Sequence, residues 1–211
     1  MATAKRKDEE LALHMFKIDT ADHAMEVALD QGLYRHLRFR KPGTGLYWYD
    51  IVTMPGRLTF HGDIGTYVFA RTEDMFTFFE GSGGRINPSY WAEKLQAQDV
   101  HSPAREYSRD VFIGHVMEDF WNSRETLDDA ADVWREIREE LLDEYGPSGD
   151  QSLAIAAAMD FRYGGFEFYD VTDWRLTAYS HQFLYALHAI VDGIRRYREH
   201  SASLQLAEVA A

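Results

Sequence analysis

Between Gly45 and Phe79 the sequence GLYWYDIVTMPGRLTFHGDIGTYVFARTEDMFTFF alternates its side chains with a period of two and breaks the alternation only at turn signals. Tyr47, Tyr49 and Ile51 alternate with Trp48, Asp50 and Val52, so both faces are rather apolar, as in a central strand. Met54-Pro55-Gly56-Arg57 has the composition of a type II turn: proline presets φ at the second position and glycine accepts a positive φ at the third. Leu58 and Phe60 continue a returning strand with Thr59 and His61 on its other face, Gly62-Asp63-Ile64-Gly65 turns again, and Thr66 to Arg71 forms a further strand. A short helix carrying Met75, Phe76 and Phe79 follows, with Thr72 as its expected cap. The stretch holds nine of the 30 Phe, Trp and Tyr residues in 35 of 211 positions, about twice its even share, which marks it as core.

The flanking segments extend this meander. From Leu11 to Gln31 a helical period is expected, with Gly32 as the stop. In LYRHLRFRKPG the period becomes two, with Arg35, Leu37 and Phe39 on one face and His36, Arg38 and Arg40 on the other. The four basic side chains here, counting Lys41, read either as charge guarding an edge strand or as an anion site at Arg38 and Arg40. Asn87-Pro88 starts a helix with Tyr90, Trp91 and Leu95 as its apolar stripe. Further helices are expected over Val111–Trp121 after a Ser108 cap, over Ala130–Tyr145 after Ser123 or Thr126, over Leu153–Phe161, and over Trp174–Arg198. Gly146-Pro147-Ser148-Gly149 separates two of them, and Phe166 and Phe168 look like a short strand added to the sheet. The expectation is one α+β domain over residues 11–200: an antiparallel β-meander of about four to five strands (sheet-rich 33–71) packed against a C-terminal helical set (88–200), with flexible ends at 1–10 and 201–211.

Charge is distributed unevenly. Residues 1–100 carry 12 basic and 14 acidic side chains, whereas residues 101–211 carry 10 and 21. Within 110–150, 13 carboxylates face only Arg124, Arg135 and Arg138. A field of this sign repels a polyanion, so direct nucleic-acid binding is not expected. On the expected helix at 130–145, Asp128, Asp129, Asp132, Glu136, Glu139, Glu140 and Asp143 form a face that is either simply solvated or a surface for a basic partner.

Chemistry is sparsely signalled. With no cysteine, disulfides, thiolate nucleophiles and thiolate metal sites are excluded, and a reducing compartment fits. No GxSxG, SxxK, HExxH or Walker sequence occurs, and GSGG at 81–84 follows a helix and lacks the Lys-Ser/Thr of a phosphate loop. Asp50, His61 and Asp63 are the weak catalytic candidates: pairing across Pro55-Gly56 would make Asp50 and His61 cross-strand neighbours, a carboxylate-oriented imidazole. His181 and His188 are seven apart, not the four of a helical metal pair, and read as hydrogen-bonded core. No metal or cofactor is expected. The apolar run near 176–194 is broken by His181, His188 and Asp192, so it reads as an amphipathic helix and no membrane association is expected.

Several ordered strings, GLYRHLRF, PGTGLYWYDIVTMPGRL, GDIGTYVFARTEDMFTFF, INPSYWAEKLQA and AAMDFRYGGFEFYD, resemble a family of proteins encoded by bacteriophages and prophages. The resemblance covers roughly residues 14–200 and implies expression in the cytoplasm of a bacterial host; it attaches no activity or catalytic residue. Together with the charge pattern it gives the functional expectation: an accessory protein that binds a host or phage protein, a basic nucleic-acid-binding surface included, with inhibition of an antiviral defence system as the concrete form. The alternative is a small enzyme or nucleotide-binding protein using the Arg38/Arg40 strand and the His61–Asp63 turn. Oligomeric state is left open.

Overall fold

The computed structural model describes residues 2–143 and 149–209. It divides the chain into two compact units, Ala2–Ala104 with Tyr179–Ala211, and Arg105–Ala178, where the sequence pointed to one domain. The fold class is α+β as expected.

The first unit is built on a six-stranded antiparallel sheet in simple sequential order, one strand beyond the expected meander. Its strands are β1 (Ala24–Gln31), β2 (Tyr34–Arg40), β3 (Tyr49–Met54), β4 (Arg57–Gly62), β5 (Gly65–Ala70) and β6 (Leu95–Gln98). Helices α1 (Ala2–Asp19), α2 (Met75–Glu80), α3 (Pro88–Ala92) and α7 (His181–Val209) complete it. Residues 2–10 and 201–209, expected as flexible ends, lie in the helices α1 and α7.

The extra strand replaces half of an expected helix. Ala24, Val27 and Ala28 fit a helical spacing, but the same residues place Met25 and Val27 on one face of a strand, against the core. The helix instead ends at Asp19, where Thr20 Oγ1 donates to the Phe16 carbonyl at 2.7 Å. Gly32 is a hairpin turn: with Gln31 paired to Tyr34 it occupies the first central position at φ +66°, which favours glycine. The register of β3 and β4 pairs Met54 with Arg57 around Pro55-Gly56, and Gly56 has φ +78°, matching the turn read from sequence.

One face of the sheet carries Leu37, Phe39, Tyr49, Ile51, Leu58, Phe60, Tyr67 and Phe69, all buried, against Phe16 of α1 and Phe183, Leu187, Ile190 and Ile194 of α7. Each such side chain contributes about 1.5–3 kcal/mol by leaving water. Gly193 lets α7 approach closely: a Cβ there would lie 2.5 Å from Ile51 Cδ1 and 3.1 Å from Phe39 Cζ. Two local expectations change. Asp74, not Thr72, caps α2 by accepting from the Phe76 N–H at 3.0 Å, and Leu95 belongs to β6, not to α3.

The second unit contains β7 (Arg105–Tyr107), α4 (Arg109–Ser123), α5 (Ala130–Ile137), α6 (Gln151–Asp160) and β8 (Thr177–Tyr179), with β7 and β8 paired where the chain enters and leaves it. Its core joins Phe112, Val116 and Phe120 of α4 to Val133, Ile137, Leu141, Phe166, Phe168 and Trp174. Ser108 caps α4 as read, whereas Asp129, accepting from the Asp132 N–H at 3.1 Å, caps α5. Beyond Ile137 the helix loosens into a π turn over Arg138–Leu142, and Tyr145 and the 146–148 part of the break lie outside the described residues. Phe166 forms an isolated bridge with Tyr163 and joins no sheet. The long C-terminal helix starts at His181, because Ser180 accepts from the Phe183 N–H and ends the extended segment before it.

Candidate functional site

The sheet face opposite the core brings the polar candidates together. Antiparallel register places Glu26 beside Arg38, Arg38 beside Asp50, Asp50 beside His61 and His61 beside Thr66, a single transverse row over five strands. The cross-strand relation of Asp50 and His61 is therefore present in the backbone. Their side chains are otherwise engaged. Asp50 accepts two hydrogen bonds from Arg38, Nε to Oδ1 at 2.9 Å and Nη2 to Oδ2 at 2.8 Å, and pairs with His36 Nε2 at 2.9 Å. His61 Nδ1 meets Thr66 Oγ1 at 2.9 Å, and its ring lies edge-on to Trp48 at 5.3 Å.

The Arg38 clamp explains how a carboxylate on an outer face is only 7% exposed. Burial pushes the Asp50 carboxyl up, but hydrogen bonds from Arg38 and His36 outweigh it and hold the group below the usual range. The imidazole oriented by a carboxylate is thus His36, not His61. Its sequence signal was its place two residues before Arg38 on the same face of β2. Asp63 is a turn residue: its Oδ2 accepts the Tyr47 N–H at 2.9 Å, and its own N–H donates to the Trp48 carbonyl at 3.0 Å.

The anion-site candidates also have partners. Arg38 is committed to Asp50. Arg40 pairs with Glu26 at 3.3 Å, and Lys41 with Asp22 at 2.8 Å. Arg40 and Lys41 line an open groove of about 660 Å³ with Ala24, Glu26 and the loop Pro42–Gly45. Each cation there faces a carboxylate, so an anion entering it must displace an existing pair.

Two histidines are held against backbone carbonyls. His23 is 5% exposed and pairs through Nε2 with the Tyr47 carbonyl at 3.1 Å, with Tyr47 in a left-handed conformation at φ +56°. His188 Nε2 meets the Glu9 carbonyl at 3.3 Å. Burial lowers the affinity of both rings for a proton. Among the described residues no group of three or more His, Asp or Glu side chains is disposed to hold a metal ion. No described helix is long and apolar enough to cross a membrane.

The seven acidic candidates divide by role. Asp129 caps α5 and Asp132 pairs with Arg135 at 2.5 Å, so these two serve the helix itself. Asp128, Glu139, Glu140 and Asp143 are exposed and Glu136 is half-buried; none of these five carboxylates has an ion-pair or hydrogen-bond partner among the described residues. The whole Arg105–Ala178 unit carries 7 basic and 18 acidic side chains, a balance of −11, so 11 carboxylates have no cation to meet within it. Sequence reasoning missed the exposed Met117 and Trp121 on α4, because an apolar residue beside a buried ridge reads as core.

No protein-family model, no curated protein and no solved structure matches the chain.

Proposed function

We propose that the protein acts by binding another protein of basic character through the carboxylates of the Arg105–Ala178 unit. The observation that carries this reading is the balance of −11 in one compact unit, with the carboxylates of Glu136, Glu139, Glu140 and Asp143 making no ion pair or hydrogen bond among the described residues. An uncompensated field of this kind costs stability through self-repulsion while accelerating encounter with a cationic surface. The phage and prophage resemblance supports a biological form: an accessory protein made inside a bacterial host that occupies the nucleic-acid-binding surface of an antiviral protein. The enzyme or nucleotide-binding alternative is less favoured, because Arg38, Arg40, His61 and Asp63 already make internal hydrogen bonds or ion pairs.

The test is affinity capture from bacterial lysate with the wild-type chain and with Glu136→Lys/Glu139→Lys/Glu140→Lys, each at about 0.15 M and 1 M salt, where the screening length falls from about 8 to 3 Å. A basic protein retained by the wild type at low salt, released at high salt and lost in the charge-reversed variant supports the reading. Capture indifferent to both salt and charge reversal overturns it.

A further inference from the structure

Helix α4 carries two parallel apolar ridges. Phe112, Val116 and Phe120 form the buried one. One residue on, at the same i, i+4, i+8 spacing, Ile113, Met117 and Trp121 form a second that emerges into solvent: Ile113 is half-buried, Met117 is 50% exposed and Trp121 62%. A helix with a single core needs one apolar stripe, and the second leaves Met117 and Trp121 largely in solvent. Asp110, exposed, precedes this ridge in the same line, Glu118 lies exposed beside it, and Glu125 follows it.

Trp121 already holds a cation. The Arg124 guanidinium sits 4.0 Å from the centre of the indole ring, donates to the Trp121 carbonyl, and pairs with Glu125 at 2.9 Å. Indole and carboxylate together form a small receptor for a guanidinium, occupied by the chain's own arginine. Glu125 is 81% exposed, so this internal contact is open to exchange.

We propose that the Ile113–Met117–Trp121 ridge, with Glu118 and Glu125, receives a basic amphipathic helix of a partner protein. The apolar side of that helix covers Met117 and Trp121, and one of its arginines takes the place of Arg124 on the indole. This rests on the acidic-unit reading and names the surface and the chemistry of the ligand. Charge complementarity chooses the occupant. A second copy would bring another unit with a balance of −11 against the first, and an anionic lipid surface would be repelled in the same way.

The probe is a fluorescein-labelled Leu/Arg amphipathic helical peptide of about 14 residues, titrated by anisotropy into the full chain beside a scrambled peptide of equal composition. The amphipathic peptide is expected to bind at least about tenfold more tightly than the scrambled one, and Trp121→Ala to weaken it by about tenfold or more, as a central aromatic anchor does. Arg124→Ala is expected to tighten binding severalfold, because it vacates the indole. Arg135→Ala removes the same charge elsewhere in the unit and should tighten binding less. Equal binding of both peptides, or no effect of Trp121→Ala in a variant with unchanged circular dichroism, overturns the ridge while leaving the acidic-unit reading standing. A dimer by light scattering that Trp121→Ala dissolves also overturns it, in favour of a second copy. Salt-independent binding, or none, removes the acidic-unit reading as well.

Discussion

The two units use charge in opposite ways. In Ala2–Ala104 with Tyr179–Ala211, 15 basic side chains nearly balance 17 acidic ones, and beside local pairs such as Arg195 with Asp192 and Glu199, several ion pairs join separate elements: Arg35 of β2 to Asp74 at the cap of α2, Arg38 of β2 to Asp50 of β3, Arg198 of α7 to Glu80 of α2. In Arg105–Ala178 three pairs are local, Arg124 with Glu125, Arg135 with Asp132 and Arg162 with Glu167, and most carboxylates have no such pair among the described residues. Charge in the first unit ties separate elements together; much of the charge in the second is left over after folding. A feature that folding does not require is the better place to look for binding.

The comparison can be broken first at Asp74. This carboxylate receives Arg35 Nη1 at 2.9 Å and Nη2 at 3.3 Å, and caps α2 through the Phe76 N–H. Arg35, 7% exposed and stacked 4.6 Å from the Phe76 ring centre, cannot turn to water. Asp74→Ala is expected to destabilise the protein by about 3–5 kcal/mol, the cost of stranding a buried charge. A loss below about 1 kcal/mol in urea denaturation would show that charge does not fix this unit. Asp50→Ala is expected to cost less, about 2 kcal/mol, because Arg38 is 37% and His36 31% exposed and both can reach solvent once released.

Why these roles escaped the sequence is specific to the residues. Asp50 and His61 were legible as neighbours, because Pro55-Gly56 fixes the turn and the turn fixes the register. Which cation takes the carboxylate was not, since β2 is equally adjacent and its connection to β3 is a longer loop. Asp74 stands two residues after the expected cap Thr72, yet its partner Arg35 lies 39 residues away, beyond any local pattern. Strand β1 was hidden because Ala24, Val27 and Ala28 fit a helical spacing while Met25 and Val27 flank Glu26 with the alternation of a strand, and only the neighbouring β2 decides between them. The charge surplus was visible from composition alone, but that it belongs to one folding unit required the chain to return at 178.

Acid should separate the units next. Burial holds His23 and His188 below the usual imidazole value, so the unfolded chain takes up protons first as the pH falls through about 6.5, and the sheet unit loses stability there. Asp50 and Asp74 have folded values below the ordinary carboxylate one; their contribution is complete above about pH 4 and disappears as the pH falls through those lowered values. Asp119 in the other unit has the opposite sign: burial raises its carboxyl, so its penalty is full at neutral pH and relieved as the pH falls through that raised value. Segment-resolved hydrogen exchange between about pH 7 and 5, corrected for intrinsic rates, should show protection falling in 24–70 and holding or rising in 109–142. Parallel loss in both would contradict the division.

The smallest effect is expected where the surplus is greatest. Glu136 stands four residues from Asp132 on α5, a spacing at which like charges repel along a helix, and Glu139 and Glu140 follow in the adjoining π turn. Glu136→Gln/Glu139→Gln/Glu140→Gln should leave Tm unchanged or raise it by about 1–3 °C, while reducing salt-sensitive binding of a basic partner. Side chains that fold the unit and side chains that only populate its surface are then told apart by sign. A fall in Tm would mean that these carboxylates hold contacts of their own, and the case for a surface kept for binding would move to Met117 and Trp121 alone.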